Sequence, residues 1–511
     1  MDNRLPKQYR VLKFIRVAIA IYVLATTLVF FCDFVTLTEH SAQLTVLIQF
    51  IPAMLRGSLW IVTSLLLITL IFGRLYCSVI CPMDILQDVI AWIARHTGRK
   101  NRKRLRYSFS KPKNTIRYTL LAVCIASMIA GNTILILMLD PYSNFGRIAT
   151  SIARPITVYA NNLVSLIARK FDNYDIYNLE LHTADMYSVI FAAFVFVTVA
   201  VMAILRGRLF CNTVCPVGAL LSAFSRFSPV AMFIDNTKCT SCKRCERQCK
   251  AQCINISTKT VDRSRCVTCF NCLSSCKTGA MKYGLNSQKR ETQRDRRDFI
   301  ITATATAVSL PMIYLYKSKL PANNKIPVLP PGAQSLMLFK ERCTACHLCV
   351  THCPQQIIKP ARLGFGVDYA LKPHLIFYEG AFCNYGCTVC SNVCPTGAIH
   401  PLTQDSKKTV QIGIAEFRRG RCVVYTDGTS CGACSEHCPT QAVRMVDYED
   451  GLTVPEVNPK LCIGCGACES ICPVRPLKAI NVKANEVHLT ALLPEDEDAI
   501  DVSRDDLDFG F

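Results

Sequence analysis

Histidine is scarce in this 511-residue chain: there are nine, and none lies in a run of apolar residues long enough to cross a membrane. A relay of bis-histidine haems through a bilayer is therefore excluded, because each haem would need its imidazole ligands inside a span. Acidic side chains are in deficit as well, 37 against 58 lysines and arginines, for a net charge of +21 at pH 7. A surplus of that size would suit nucleic acid, but the basic residues flank apolar runs, which is the mark of membrane topology. Nucleic acid is not an expected partner. A cleavable secretory signal is not expected at the N-terminus, because the first apolar segment is long enough to span and follows Arg4, Lys7, Arg10, Lys13 and Arg16. Neither a nucleophile nor a general-base triad stands out.

What abounds is apolar side chain, 51% of the residues, and cysteine, with 31. Four apolar segments, near Val17 to Phe34, Ser58 to Phe72, Tyr118 to Leu139 and Met186 to Leu205, approach or reach the roughly 20 residues of a membrane helix, the second only marginally. The connection from Gly73 to Arg117 carries eleven Lys and Arg residues, whereas the loop before it carries only Arg56. The positive-inside rule then places the N-terminus and that connection in the cytoplasm, and residues 140–185 outside as a loop. Further on, Arg296 and Arg297 precede Asp298, Phe299 and a mildly apolar run, the pattern of a twin-arginine export signal and a fifth anchor. An ordinary fifth helix with basic flanks would read the same way. Either one moves the remainder of the chain to the periplasmic side.

Disulfide scaffolds are short secreted chains with dispersed cysteines, and the spacing here is compact and repeated. Cys239, Cys242, Cys245 and Cys249 form one block, and Cys266, Cys269, Cys272 and Cys276 a second, both with the C-x2-C-x2-C-x3-C spacing of bacterial ferredoxins. Three close thiolates wrap three corners of a cubane and the fourth reaches the neighbouring cluster. The expected quartets are thus Cys239, Cys242, Cys245 with Cys276, and Cys266, Cys269, Cys272 with Cys249.

Four more blocks follow: Cys343, Cys346, Cys349, Cys353; Cys383, Cys387, Cys390, Cys394; Cys422, Cys431, Cys434, Cys438; and Cys462, Cys465, Cys468, Cys472. Zinc knuckles pair two C-x2-C units across a longer spacer, so this density favours iron and sulfide. Six 4Fe-4S clusters account for 24 of the 31 cysteines. Cys32, Cys124 and Cys253 are expected to be packing residues.

The remaining four lie in two copies of one phrase, GRLYCSVICP over residues 73–82 and GRLFCNTVCP over residues 207–216. Cys77 and Cys81, like Cys211 and Cys215, are spaced i, i+4, which on a continuing helix places both sulfurs on one face at the cytoplasmic membrane boundary. If the two helices pack together, four thiols meet. They could hold a metal or cluster, cycle as dithiols, dock a partner, or simply fill space.

The fold class expected is a membrane α-helical bundle of four helices plus a fifth anchor, carrying two α+β ferredoxin-like 4Fe-4S domains. Residues 1–235 would form the membrane domain, 236–285 a cytoplasmic two-cluster domain, and 286–320 a basic linker, export signal and anchor. Residues 321–490 would form a periplasmic four-cluster domain, with an acidic tail over 491–511. Residues 1 to about 285 resemble the NapH and MauN family of membrane quinol dehydrogenase subunits, with their membrane helices, CxxxCP phrases and two-cluster ferredoxin. The chain from about residue 290 resembles the NapG and MauM family of periplasmic polyferredoxins, so the whole resembles a fusion of the two.

The resemblance implies a bacterial inner-membrane protein that takes electrons from quinol and delivers them to a periplasmic reductase or cytochrome, nitrate reductase-like by likeness. It also implies that in the four-cluster domain the first block pairs with the fourth and the second with the third. Asp33, His40, Asp140, His182 and Asp185 are candidate acceptors of quinol protons, each weighed against an ordinary boundary role. Two other readings are a ferredoxin-bearing factor that reduces metal for copper-oxidase assembly, and a redox sensor. The first needs an accessible metal site; the second needs an effector domain, and none is evident.

Overall fold

The computed structural model describes residues 7–32, 39–96, 107–179, 181, 185–285 and 325–493. Arg296, Arg297, the fifth apolar segment and the tail beyond residue 493 lie outside the described residues. Helix α1 (Lys7–Cys32) contains neither glycine nor proline, and the hydroxyls of Thr26 and Thr27 bond back to the carbonyls of Tyr22 and Val23 at 2.9 and 2.7 Å. Polar groups inside an apolar helix are thereby satisfied by the helix itself. After α1 come α2 (Glu39–Leu47), α3 (Phe50–Leu55) and α4 (Leu59–Phe72). Next are α5 (Leu75–Val79), α6 (Pro82–His96), α7 (Asn114–Ile129) and α8 (Ile134–Leu139). The helical part closes with α9 (Pro141–Ile148), α10 (Arg154–Arg169), α11 (Met186–Arg206), α12 (Leu209–Thr213) and α13 (Pro216–Ser225).

Among the described residues two helices are long and apolar enough to cross a membrane, over Tyr9–Cys32 and Met186–Arg206. The other two expected spans differ. Helix α4 has 14 residues, about 21 Å of rise, which falls short of a roughly 30 Å hydrocarbon core. The third run is broken at Gly131, whose φ of +72° ends α7, and the Asn132 amide and carbonyl both turn back onto Ser127. The segment expected as an outer loop is helical from Pro141 to Arg169, through a π-helical turn at Ala149–Ala153. Asp140 starts it by accepting from the Ser143 amide at 2.8 Å, with Pro141 in the first turn. Sparse charge there disguised an amphipathic helix whose Ile156, Tyr159, Leu163 and Ile167 are exposed on one face.

Two cysteine-rich modules cap this helical body. In the first, β1 (Val230–Ile234) pairs antiparallel with β4 (Met281–Leu285), and β2 (Ile254–Asn255) with β3 (Thr260–Val261). In the second, β5 (Ile358–Pro360) pairs with β6 (Pro373–Leu375), β7 (Val410–Phe417) with β10 (Ile480–Thr490), and β8 (Val443–Asp447) with β9 (Thr453–Val457). Among the described residues every sheet has two strands, the minimum, and such pairs are marginal alone, so the residues clustered between them must supply the stability. Those residues are cysteines set among small and aliphatic side chains.

Helix α1 measures the distance between the modules. Near its start the Lys13 ammonium donates to Ser274 Oγ of the first module at 3.2 Å, and near its end the Phe30 ring lies 4.8 Å from the His352 ring of the second. Seventeen residues of helix separate these contacts, about 26 Å. The modules therefore sit at opposite ends of the helical body. Glycines permit both approaches: a Cβ on Gly207 would stand 2.3 Å from the Lys250 carbonyl, and one on Gly146 would stand 2.5 Å from the Cys346 carbonyl.

Candidate metal centres

Four of the six blocks share one backbone solution. The second residue after the first cysteine and the residue after the second cysteine are left-handed: Ser241 and Lys243, Thr268 and Phe270, Ala345 and His347, Gly464 and Gly466. This conformation curls the loop so that amides face sulfur, as when Ala345 N donates to Cys343 Sγ at 3.4 Å. A third left-handed residue recurs three positions after the last cysteine in five blocks, at Gln252, Gly279, Gln356, Gly397 and Gln441. It turns the fourth thiol away from its own block.

In the first module Cys239, Cys242, Cys245 and Cys276 line one cavity. Cys266, Cys269 and Cys249 surround Cys272. Both expected quartets are thus brought together. Cys253 packs with Sγ 3.5 Å from Cys249 Sγ, and the matching positions of other blocks are the buried Ala280, Ala398 and Ala442. Ile357 takes the same place after Cys353, so the position asks for an apolar side chain rather than a thiol ligand.

In the second module the pairing implied by family likeness is corrected. Cys353 joins Cys383, Cys387 and Cys390 around one cavity, and Cys394 joins Cys343, Cys346 and Cys349, so the first block exchanges with the second. Likewise Cys438 joins Cys462, Cys465 and Cys468, and Cys472 joins Cys422, Cys431 and Cys434. Exchange between consecutive blocks needs only the local turn after each fourth cysteine. The two halves meet where the Cys383 amide donates to the Cys465 carbonyl at 2.9 Å.

Among the described residues no three His, Cys, Asp or Glu side chains are placed to share a single metal ion. Four cysteines lining one cavity, three of them closely spaced in sequence, suit the four corners of a cubane. The charges fit too. Lys372 and Lys407 are buried within electrostatic reach of Cys343 and Cys383. Burial pushes the Lys372 ammonium down to about 8, a fall opposed by Cys343. Buried cations call for anions, and thiolate-ligated clusters are anionic.

The four leftover cysteines lie in the body between the modules. No helix continues through either phrase. Gly73 (φ +80°) ends α4 and Gly207 (φ +68°) ends α11, each followed by a five-residue turn, α5 or α12, that carries the first cysteine. The chain then reverses into α6 or α13, which open with Pro82 and Pro216 directly after the second cysteine. Proline fits there because a first-turn amide has no helical acceptor. Cys215 caps α13, its Sγ accepting from Gly218 N at 3.3 Å. The sulfurs are thus carried into the core instead of being displayed on one face at its edge. Cys77, Cys81, Cys211 and Cys215 are 2–4% exposed.

These four belong to one packed cluster of side chains, against which lie both Cys269 of the first module and Cys346 of the second. Beside it Arg208 pairs with Asp84 at 2.6 Å and with Asp88 at 2.5 Å. Asp88 also meets Arg16 at 2.8 Å and Lys250 at 3.2 Å, tying α1, α6, α12 and the first module together. This junction was invisible in sequence, since the cations that meet Asp88 are 72 to 162 residues from it.

Of the candidate proton acceptors, Asp140 caps α9 and Asp185 caps α11 while pairing with Arg362 at 2.8 Å, both structural tasks. Asp33 and His182, and the side chain of His40, lie outside the described residues. Cys32 and Cys124 are buried, as expected of packing residues.

Residues 54–100, 188–231 and 378–412 match one 4Fe-4S binding domain family, residues 337–359 another, and residues 429–475 a 4Fe-4S dicluster domain family. The chain is 30% identical over 145 residues to the methylamine utilization ferredoxin-type protein MauM of Methylobacillus flagellatus, which covers 26% of this chain and 59% of that protein. It is 25% identical over 156 residues to the ferredoxin-type protein NapG of Escherichia coli K12, covering 30% of this chain and 67% of NapG. The ferredoxin-type protein NapF of the same strain is 25% identical over 137 residues, 27% of this chain and 74% of NapF. No solved structure matches. The chain thus carries several 4Fe-4S binding domains and is similar to ferredoxin-type proteins, spanning 59% of the length of the first of these relatives.

Proposed function

We propose that this protein carries electrons from membrane quinol, through its helical body, to a redox partner in the periplasm, a reductase or cytochrome. The observation that supports this most is the single packed core that touches Cys269 of one module and Cys346 of the other. Six cysteine quartets would hold six 4Fe-4S clusters, which supply one-electron transfer. The protein's own part is to fix the quartets in sequence, exclude water from their sulfurs, and balance their charge with Lys372 and Lys407.

In this reading the first module lies in the cytoplasm, on the side of the basic connection, and the second in the periplasm, with α1 and α11 crossing the bilayer between them. The N-terminal part acts as a NapH-like subunit and the C-terminal part as a NapG-like one, fused. Nitrate reductase is the model for the partner. A metal-reducing assembly factor is less favoured, because its metal would have to reach thiols that are all buried.

The test is reduction in proteoliposomes. Added short-chain quinol should bleach the visible absorbance of the clusters in the intact protein, with electrons recoverable by an acceptor dye on the C-terminal side. Reduction by dithionite but never by quinol would refute quinol as the donor.

A further inference from the structure

The two CxxxCP phrases each bring two cysteines, too few to complete a cluster site. Three features of the body show what the pair can do together. The phrases are related by an approximate internal repeat, in which glycine breaks a helix, a five-residue turn presents one cysteine, and the next cysteine precedes the first turn of a returning helix. Three of the four sulfurs already receive hydrogen bonds from nitrogen: Gln87 Nε2 to Cys211 Sγ at 3.0 Å, Gly218 N to Cys215 Sγ at 3.3 Å, and Arg74 to Cys77 Sγ at 3.6 Å.

The third feature is Arg74 itself. It is fully buried, and its other hydrogen bonds go to neutral acceptors, Asn212 Oδ1 at 2.9 Å and the carbonyls of Ser264 and Cys211. Among the described residues no carboxylate pairs with it, and its Nε has no acceptor. The nearby Asp84 is ion-paired with Arg208 and acts on Arg74 only through space, less strongly than Cys77 and Cys211. A buried guanidinium without a counter-ion is costly, and the anion it faces is sulfur.

We propose that Cys77, Cys81, Cys211 and Cys215 together ligate an additional iron–sulfur cluster inside the helical body, between the two ferredoxin modules. Arg74 neutralises part of its charge, and the N–H donors of Gln87 and Gly218 hold its sulfurs. A lone zinc ion would be the poorer occupant, because it has no redox chemistry and could not pass an electron. The site takes one electron from a neighbouring cluster, which is oxidised, and releases one to the next, which is reduced, so no bond is made or broken. Towards the second module, Tyr76 and Tyr142 fill the interval, the first within electrostatic reach of Cys77 and Cys81, the second of Cys346 and Cys394. The inference rests on the electron-transfer reading above and adds the ligands that carry the electron through the body.

The experiment compares anaerobically purified full-length protein with C77S/C211S and with C124S, which removes a buried thiol outside the tetrad. Iron and acid-labile sulfide are counted, and Mössbauer spectra are recorded. Wild type and C124S should hold iron beyond six cubanes by about two to four atoms, the content of one further cluster. The double variant should lose that excess while the six quartets remain filled. Wild-type iron equal to six cubanes overturns the proposal, and if quinol still reduces those six the electron-transfer reading survives without it. Should the double variant fail to fold, Gln87→Leu is the second test. Removing an N–H donor from a ligand sulfur should move the potential of one cluster signal to a more negative value and leave the others in place. A folded Q87L protein with every potential unchanged also overturns the proposal.

Discussion

Asp88 is the residue whose replacement most directly tests the junction between helical body and first module. Its carboxylate meets Arg16 at 2.8 Å, Arg208 at 2.5 Å and Lys250 at 3.2 Å, and the Lys250 ammonium also donates to its main-chain carbonyl at 3.0 Å. Asp88→Asn keeps the shape and removes the charge, leaving three nearly buried cations to repel one another with Asp84 alone to balance them. Breaking a buried ion pair costs about 3–5 kcal/mol, a large part of the roughly 5–15 kcal/mol that holds a typical domain folded.

The first module should therefore undock before either part unfolds. Two readouts check this: the urea midpoint of the module followed by cluster absorbance, and the alkylation rate of Cys77 and Cys211 in folded protein. D88N should lower the midpoint and expose those thiols, and Asp88→Glu should recover part of the loss. A D88N protein within about 1 kcal/mol of wild type, with both thiols still protected, would refute the claim that charge pairing holds the junction.

Gly146→Val should loosen the second module from the body by about 1–3 kcal/mol, because even a Cβ there would overlap the Cys346 carbonyl and the Phe31 ring. Limited proteolysis of the intact protein should then release the second module faster, with its own clusters retained; an unchanged rate would count against the contact. Burial pushes the His374 imidazole down to about 4, although a hydrogen bond to the Lys359 main chain and nearby Asp185 oppose this. Its unfolded value lies near 6.5, so the unfolded state binds the extra proton between the two values. The second module should lose stability as pH falls from about 6.5 towards 4, by no more than roughly 3 kcal/mol. His374→Phe should flatten that part of the melting-temperature profile, and an identical slope in the variant would assign the acid sensitivity elsewhere.

The cysteine quartets of the first module were legible in sequence because ferredoxin spacing is a local constraint. Three thiols within seven residues can wrap a cluster in few ways, and the recurring left-handed residues are the backbone expression of that spacing. Local pattern could not decide which distant block receives the fourth thiol. In the second module likeness to other families suggested the wrong exchange, and the actual one depends on turns that make consecutive blocks neighbours. Apolar composition marked α1 and α11 as long enough to span, yet it misjudged the third run, where Gly131 and Asn132 end a helix in the midst of apolar residues.

The amphipathic α10 was hidden for the opposite reason, since few charges and scattered polar residues resemble a loop until Asp140 and Pro141 start the helix. Sequence by itself determined that this chain has iron–sulfur blocks, two repeated CxxxCP phrases and a basic flank to its apolar helices. Only the tertiary structure decided where those phrases lie. The i, i+4 spacing presumes a continuous helix, but a left-handed glycine at the start of each phrase and a proline at its end fold the chain back into the core. Four thiols from residues 77–81 and 211–215 then meet through packing between segments more than a hundred residues apart, where no spacing rule reaches.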